Sequence, residues 1–166
     1  MSLPASALTE TKHGRDPLCD GFLHATDFYT WTQEQAAHLR SGQLSCADIG
    51  NIAEEIETLG RSGASALRSA YRLIAMHLLK TMIQPDKATP SLAVTIVRER
   101  LDIEQILDEN PGLKPRRSEL FAKAYGAARR EAALDTGLPL DRFPVLPPFT
   151  VDEVESDGTL PDRTGA

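Results

Sequence analysis

The stretch Asn51–Lys80, NIAEEIETLGRSGASALRSAYRLIAMHLLK, decides the fold. At about 100° per residue, Ile49, Ile52, Ala53, Ile56 and Leu59 fall on one helical stripe. The run Leu73–Ile83, LIAMHLLKTMI, is apolar on most sides, the pattern of a helix buried at the centre of a bundle. The expectation is two helices, one opening at Ser45 and a second over about 64–83, with Gly60 and Gly63 between them. Pro85 ends the second.

Outward from this stretch the pattern stays helical. Asp27 can cap a helix FYTWTQEQAAHLR, in which Phe28, Trp31, Thr32, Gln35 and Leu39 share a face and Gly42 is the stop. Thr89 or Ser91 opens a further helix with Pro90 in its first turn, running through LAVTIVRERLDIEQILDE to Asn110-Pro111-Gly112. A fifth begins at Pro115, carries Phe121, Ala124, Tyr125, Ala128 and Ala132 on one side, and ends at Thr136-Gly137. No segment shows a useful strand alternation. The predicted fold is all-α, a bundle of about five helices spanning residues 26–150 as a single domain. A lead-in over residues 1–25 is expected to be flexible. A Pro-rich C-terminal tail (Pro139, Pro144, Pro147, Pro148) is expected to wrap the bundle in extended form, with a short turn at 150–155. Residues 151–166 are acidic and expected to be disordered.

Composition agrees. Of the 166 residues 41% are hydrophobic but only 5% aromatic, so Leu, Ile and Ala must build the core, which favours helices over a β-sandwich. Residues 138–166 hold two basic and six acidic side chains, a large share of the net charge of −6, and leave the body nearly neutral. A neutral body argues against general attraction to nucleic acid or anionic lipid. The two cysteines, Cys19 and Cys46, form no metal spacing and suit a reducing cytoplasm. The N-terminus lacks the apolar core of a signal peptide, and no run approaches a membrane span.

The polar residues pose the functional question. Glu54 points away from its stripe, while Glu55 and Glu57 flank it on opposite edges. His77 lies at a flank one turn after Leu73 and Ile74. Glu99 falls between Ile96 and Ile103 with Arg100 on the edge, so charge interrupts an apolar face. Arg129 lies one turn after Tyr125. Glu55, His77, Glu99, Arg100, Tyr125 and Arg129 are therefore candidates for a polar layer inside the bundle. Carboxylates and a histidine in a bundle can hold a metal, with Glu55 and His77 as the candidate ligands. The Glu-x-x-His spacing of di-iron bundles is missing, however, and so is HExxH. The favoured reading is a network in which Arg100 or Arg129 pairs with Glu55 and His77 donates to a carboxylate or carbonyl, fixing helix register. Cys46 would sit in a helical first turn, where a thiolate is favoured, but has no assigned base. Arg61, Arg68 and Arg72, and Lys114, Arg116, Arg117, Lys123 and Arg130, form basic groups that glutamates dilute, so a solvated face is favoured over a nucleic-acid surface.

Several motifs together carry a resemblance: DFYTWTQEQAAHLRSG (27–42), NIAEEIETLGRS (51–62), HLLK (77–80), Gln84-Pro85, Thr95-Ile96 with Arg100, AYGAAR (124–129), TGLP (136–139) and Phe143-Pro144. Over Asp27–Thr150 the chain resembles the bacterial helical family catalogued as domain of unknown function 29. The resemblance implies a compact helical protein and supplies no activity, cofactor or catalytic residue. Glu54, Glu55, His77, Arg100, Tyr125 and Arg129 match the family pattern. Ala47 departs from it, standing where the family has a larger apolar residue, and PVLPPF lacks a cysteine that often precedes the last proline. The expectation is a cytoplasmic, non-catalytic protein without cofactor that binds another protein or its own copy. Tyr29, Trp31 and the Pro-rich tail are candidate contact surface. A metal-binding bundle and a nucleic-acid-binding regulator are the alternatives.

Overall fold

The computed structural model describes residues 23–156 and Gly158, and among these every regular element is helical. Most of the expected lead-in and the end of the acidic tail lie outside the described residues. The α-helices are α1 (Leu23–Thr26), α2 (Phe28–Ser41), α3 (Ile49–Ile83), α4 (Pro90–Glu109), α5 (Arg117–Thr136) and α6 (Val151–Glu155). Short 3-10 turns lie at Pro85–Lys87, Pro111–Arg116 and Leu140–Arg142. The fold is all-α, as expected, and among the described residues no helix is long and apolar enough to cross a membrane. The chain forms two compact units, one up to Thr58 and one from Leu59 onward.

In the first unit, Asp27 caps α2 by accepting the Thr30 N–H at 3.0 Å. That bond lowers the Asp27 carboxyl pKa. Gly42 closes the helix with φ +73°, a left-handed conformation that costs glycine nothing. Trp31 is 3% exposed and packs edge-on against His24, with ring centroids 4.6 Å apart, and stacks with Phe28. It is therefore core, not contact surface, whereas Tyr29 is 74% exposed. Buried Gln35 accepts the backbone N–H of Asp48 at 2.8 Å, tying α2 to the start of α3.

The start of α3 differs from expectation. Residues 43–47 form successive turns, with Cys46 N–H donating to Gln43 O, and the helix begins at Ile49. Asp48 displaces Ser45 as the effective cap because its carboxylate takes both the N–H and the side-chain amide of Asn51. Cys46 thus lies outside the helical first turn where its thiolate was expected to be favoured.

The predicted break at Gly60 and Gly63 is also missing, since α3 is one helix of 35 residues. Neither glycine has positive φ. Each costs the helix about 1 kcal/mol relative to alanine, too little to stop a run of good helix formers. Gly63 faces Asn110 closely enough that an added Cβ would lie 3.4 Å from its side chain.

In the second unit the buried faces of α3 (Leu67, Tyr71, Ile74, Leu78), α4 (Ile96, Ile103, Leu107) and α5 (Phe121, Tyr125, Ala128, Ala132) share one core. Small residues on α5 let its backbone approach the core closely. The segment after Gly137 completes the core with Phe143, 1% exposed, and with Val151 and Val154 of α6. The helix α6 is only five residues long, but it carries a full capping box. Thr150 and Glu153 each satisfy the other's backbone N–H, which also lowers the Glu153 pKa.

Candidate functional site

The polar residues singled out in the sequence are best understood from the segment they hold. Residues 138–150 are proline-rich and, beyond one 3-10 turn, make few backbone hydrogen bonds with one another, and the last turn of α6 leaves the Val154 carbonyl without an intrahelical donor, so these carbonyls need donors from elsewhere. Helices α4 and α5 supply them. Arg100, buried in α4, donates from Nε to the carbonyl of Val154 at 2.9 Å. Tyr125 donates its hydroxyl to Pro144 O at 2.7 Å. Arg129, one turn further along α5, donates from Nε to Phe143 O at 3.0 Å and from Nη2 to Leu140 O at 2.9 Å. Burial raises the Tyr125 pKa against the opposing charge of Arg129, keeping the hydroxyl a donor.

A second anchor lies at α6. Tyr71 of α3 donates its hydroxyl to the Glu155 carboxylate, and Arg117 at the start of α5 pairs with both Glu155 and, at 3.3 Å, Asp152. Burial, followed by the bond to Glu155, pushes the Tyr71 hydroxyl pKa far up. The bond to Glu155 likewise raises that of Arg117. Sequence reasoning passed over this group. Its signal was present, because Tyr71 lies on the buried stripe of α3 and a buried phenol requires a partner.

The remaining candidates go elsewhere. Glu55 belongs to the first unit, where His24 Nε2 meets its Oε1 at 2.9 Å. His24 therefore serves an ordered role rather than lying in a lead-in. Among the described residues His77 donates to no carboxylate or carbonyl. Its Nδ1 is buried and meets no hydrogen-bond partner among the described residues. Burial, then the nearby Lys80, lowers its pKa, with Asp135 opposing. Lys80 itself pairs with Asp135 and Arg72 with Glu131, joining α3 to α5. Glu99 lines a groove between α3 and α4 with Ser69, Asp102, Gln105 and Glu109. Burial, then Asp102, raises its pKa. Arg100, Tyr125 and Arg129 are thus united by what they hold, whereas Glu55, His77 and Glu99 lie in separate surroundings.

The alternatives can be weighed on the same contacts. Among the described residues no three or more His, Cys, Asp or Glu side chains converge to hold a metal. Of the basic groups, Arg72, Lys114, Arg116, Arg117 and Lys123 are engaged with carboxylates. Lys123 and Arg116 together pull the Glu119 carboxyl down to about 2.

The outer face of α4 has a different character. Val94, Val97 and Leu101 are 58%, 42% and 60% exposed, on the side opposite buried Ile96 and Ile103. Beside them runs a groove of about 380 Å³ whose walls include Leu101, Ile103, Leu107 and Glu155.

The family described as Domain of unknown function DUF29 matches residues 23–158, and the chain belongs to it. No curated protein and no solved structure matches.

Proposed function

We propose that this DUF29 family member is a non-catalytic, cytoplasmic protein-interaction module. One observation carries the reading. Arg100, Tyr125 and Arg129, candidates for a polar layer inside the bundle, donate hydrogen bonds to carbonyls of the chain's own C-terminal segment. They hold the C-terminal segment and α6 against the helices, and Arg100 does so while also lining the groove beside α4. The scaffold offers apolar side chains to solvent, Val94, Val97 and Leu101 in line on α4 and Val145 and Leu146 on the C-terminal segment. Aligned exposed apolar residues are a recurrent mark of protein contact.

The test has two arms on the full chain. Sedimentation velocity reads self-association, and affinity capture from the native host, with quantitative comparison to a control bait, reads other partners. A concentration-dependent shift to a larger species, or a partner captured in stoichiometric amount and rebound after purification, is expected. A strictly monomeric protein that retains no partner overturns the reading.

A further inference from the structure

We infer that residues 138–156 form an exchangeable strap, and that the site holding them also takes the same segment of a second copy, giving a dimer with two exchanged straps. The inference rests on the protein-interaction reading and names its site and partner. The segment is built as a separable piece. Among the described residues, every backbone-to-backbone hydrogen bond of 138–156 stays inside it, as from Arg142 N–H to Pro139 O, Phe143 N–H to Leu140 O and Val154 N–H to Thr150 O. The helix α6 within it carries its own capping box. The hydrogen bonds that reach it from the rest of the chain come from side chains. Arg100, Tyr125 and Arg129 donate to its carbonyls, and Tyr71 and Arg117 donate to the Glu155 carboxylate. Phe143 and Val154, 1% and 0% exposed, are its apolar anchors. None of these contacts depends on which chain the segment belongs to, so the segment of a second copy reproduces each of them.

One residue joins the strap to α5 and sets which chain it serves. Gly137 closes that helix with φ +69°, directing the segment onto its own helices. Glycine adopts left- and right-handed conformations about equally, so the wild-type strap stays in its own chain by proximity. A short connection gives an effective concentration of order millimolar, so exchange between wild-type chains is expected near about 1 mM. Any residue with a Cβ disfavours the left-handed conformation about fivefold or more. In the exchanged dimer both hinges are free to leave it, so a substitution there acts twice and favours the dimer about thirtyfold. Nothing lies within 4 Å of a Cβ added at Gly137, so the effect is one of backbone conformation and not of crowding.

The experiment is sedimentation of the full chain from about 10 µM to 1 mM, a range that brackets exchange in wild type and variants. Gly137→Ala is expected to lower the dimer dissociation constant about thirtyfold, and Gly137→Val at least as far. Either variant suffices if the other folds poorly, and circular dichroism checks helicity. Gly137→Asn, which tolerates the left-handed conformation, is the control and should stay near wild type. Exchange is told from any other dimer by a second readout. An Arg117→Lys substitution introduces an amine beside Glu155, which a zero-length carbodiimide couples to that carboxylate. When chains of two nitrogen isotopes are unfolded, mixed equally and refolded together, about half of these cross-links in the dimer fraction should join unlike isotopes, by random pairing. Helical Gly137→Ala and Gly137→Val chains no more dimeric than wild type, or dimers whose cross-links all lie within one isotope, overturn the exchange. The interaction reading then stands if a captured host partner rebinds. A strictly monomeric wild type that also retains no partner overturns both.

Discussion

Replacing Tyr125 by phenylalanine removes one oxygen and nothing else, which makes it the sharpest probe of how the C-terminal segment is held. The ring is almost fully buried, and its hydroxyl donates to Pro144 O at 2.7 Å. Deleting it removes a hydrogen bond with a net contribution of about 0.5–1.5 kcal/mol, and the stranded carbonyl raises the total cost toward about 1–3 kcal/mol. Pro144 is half-buried beside exposed Val145, where water can partly replace the phenol, so about 1.5 kcal/mol is expected. That corresponds to a fall in melting temperature of about 7 °C for a unit of this size. Urea unfolding followed by far-UV circular dichroism is the assay, with the slope expected to stay unchanged. The single tryptophan, Trp31, belongs to the first unit and therefore reports on a different part of the chain. Tyr29→Phe, at an exposed ring, is the control and should change stability by less than about 0.5 kcal/mol. Equal stability of Tyr125→Phe and wild type would refute the claim that the helices secure the segment through its carbonyls.

Four further outcomes follow from the same geometry. Phe143→Ala should cost about 3–5 kcal/mol by urea denaturation, because its ring is a fully buried part of the core. Glu155→Gln should cost about 1 kcal/mol, and less at high salt, since Arg117 and Tyr71 lose a charged partner; a salt-independent effect would contradict the ion-pair account. Gly60→Ala should stabilise by about 1 kcal/mol, as nothing lies near its added Cβ and α3 runs through it; destabilisation would instead indicate a break there. His77 has a folded pKa below its ordinary value, so its contribution is fully present above the unfolded pKa of about 6.5 and is lost as pH falls below it. The group titrates facing Lys80 and Asp135, and His77→Gln should flatten this acid limb in melting temperature against pH.

Much of this was legible in the residues. Helical periodicity, Asp27 as a cap, Gly42 and Gly137 as stops and Pro90 in a first turn all appear as read, because each depends on a few neighbours along the chain. Local reading failed where two local signals competed. Gly60 and Gly63 signal a break, but a break also needs somewhere for the backbone to turn, and the flanking helix formers outweighed about 1 kcal/mol per glycine. Ser45 and Asp48 both signal a helix start, and the carboxylate with two donors from Asn51 prevailed.

By itself the sequence determined that the chain is helical, which faces are apolar, and that Arg100, Tyr125 and Arg129 carry polar groups on or beside buried stripes. Those properties follow from angle along one helix. The tertiary structure alone decided what those groups touch. The proline-rich segment and the last turn of α6 present carbonyls that lack backbone donors, and side chains of α4 and α5 satisfy them. Likewise only folding brought His24 to Glu55, and Tyr71 and Arg117 to Glu155. Hydrogen bonds act over about 3 Å, so partners 31 to 84 residues apart are chosen by packing, and no pattern along a single helix encodes that choice.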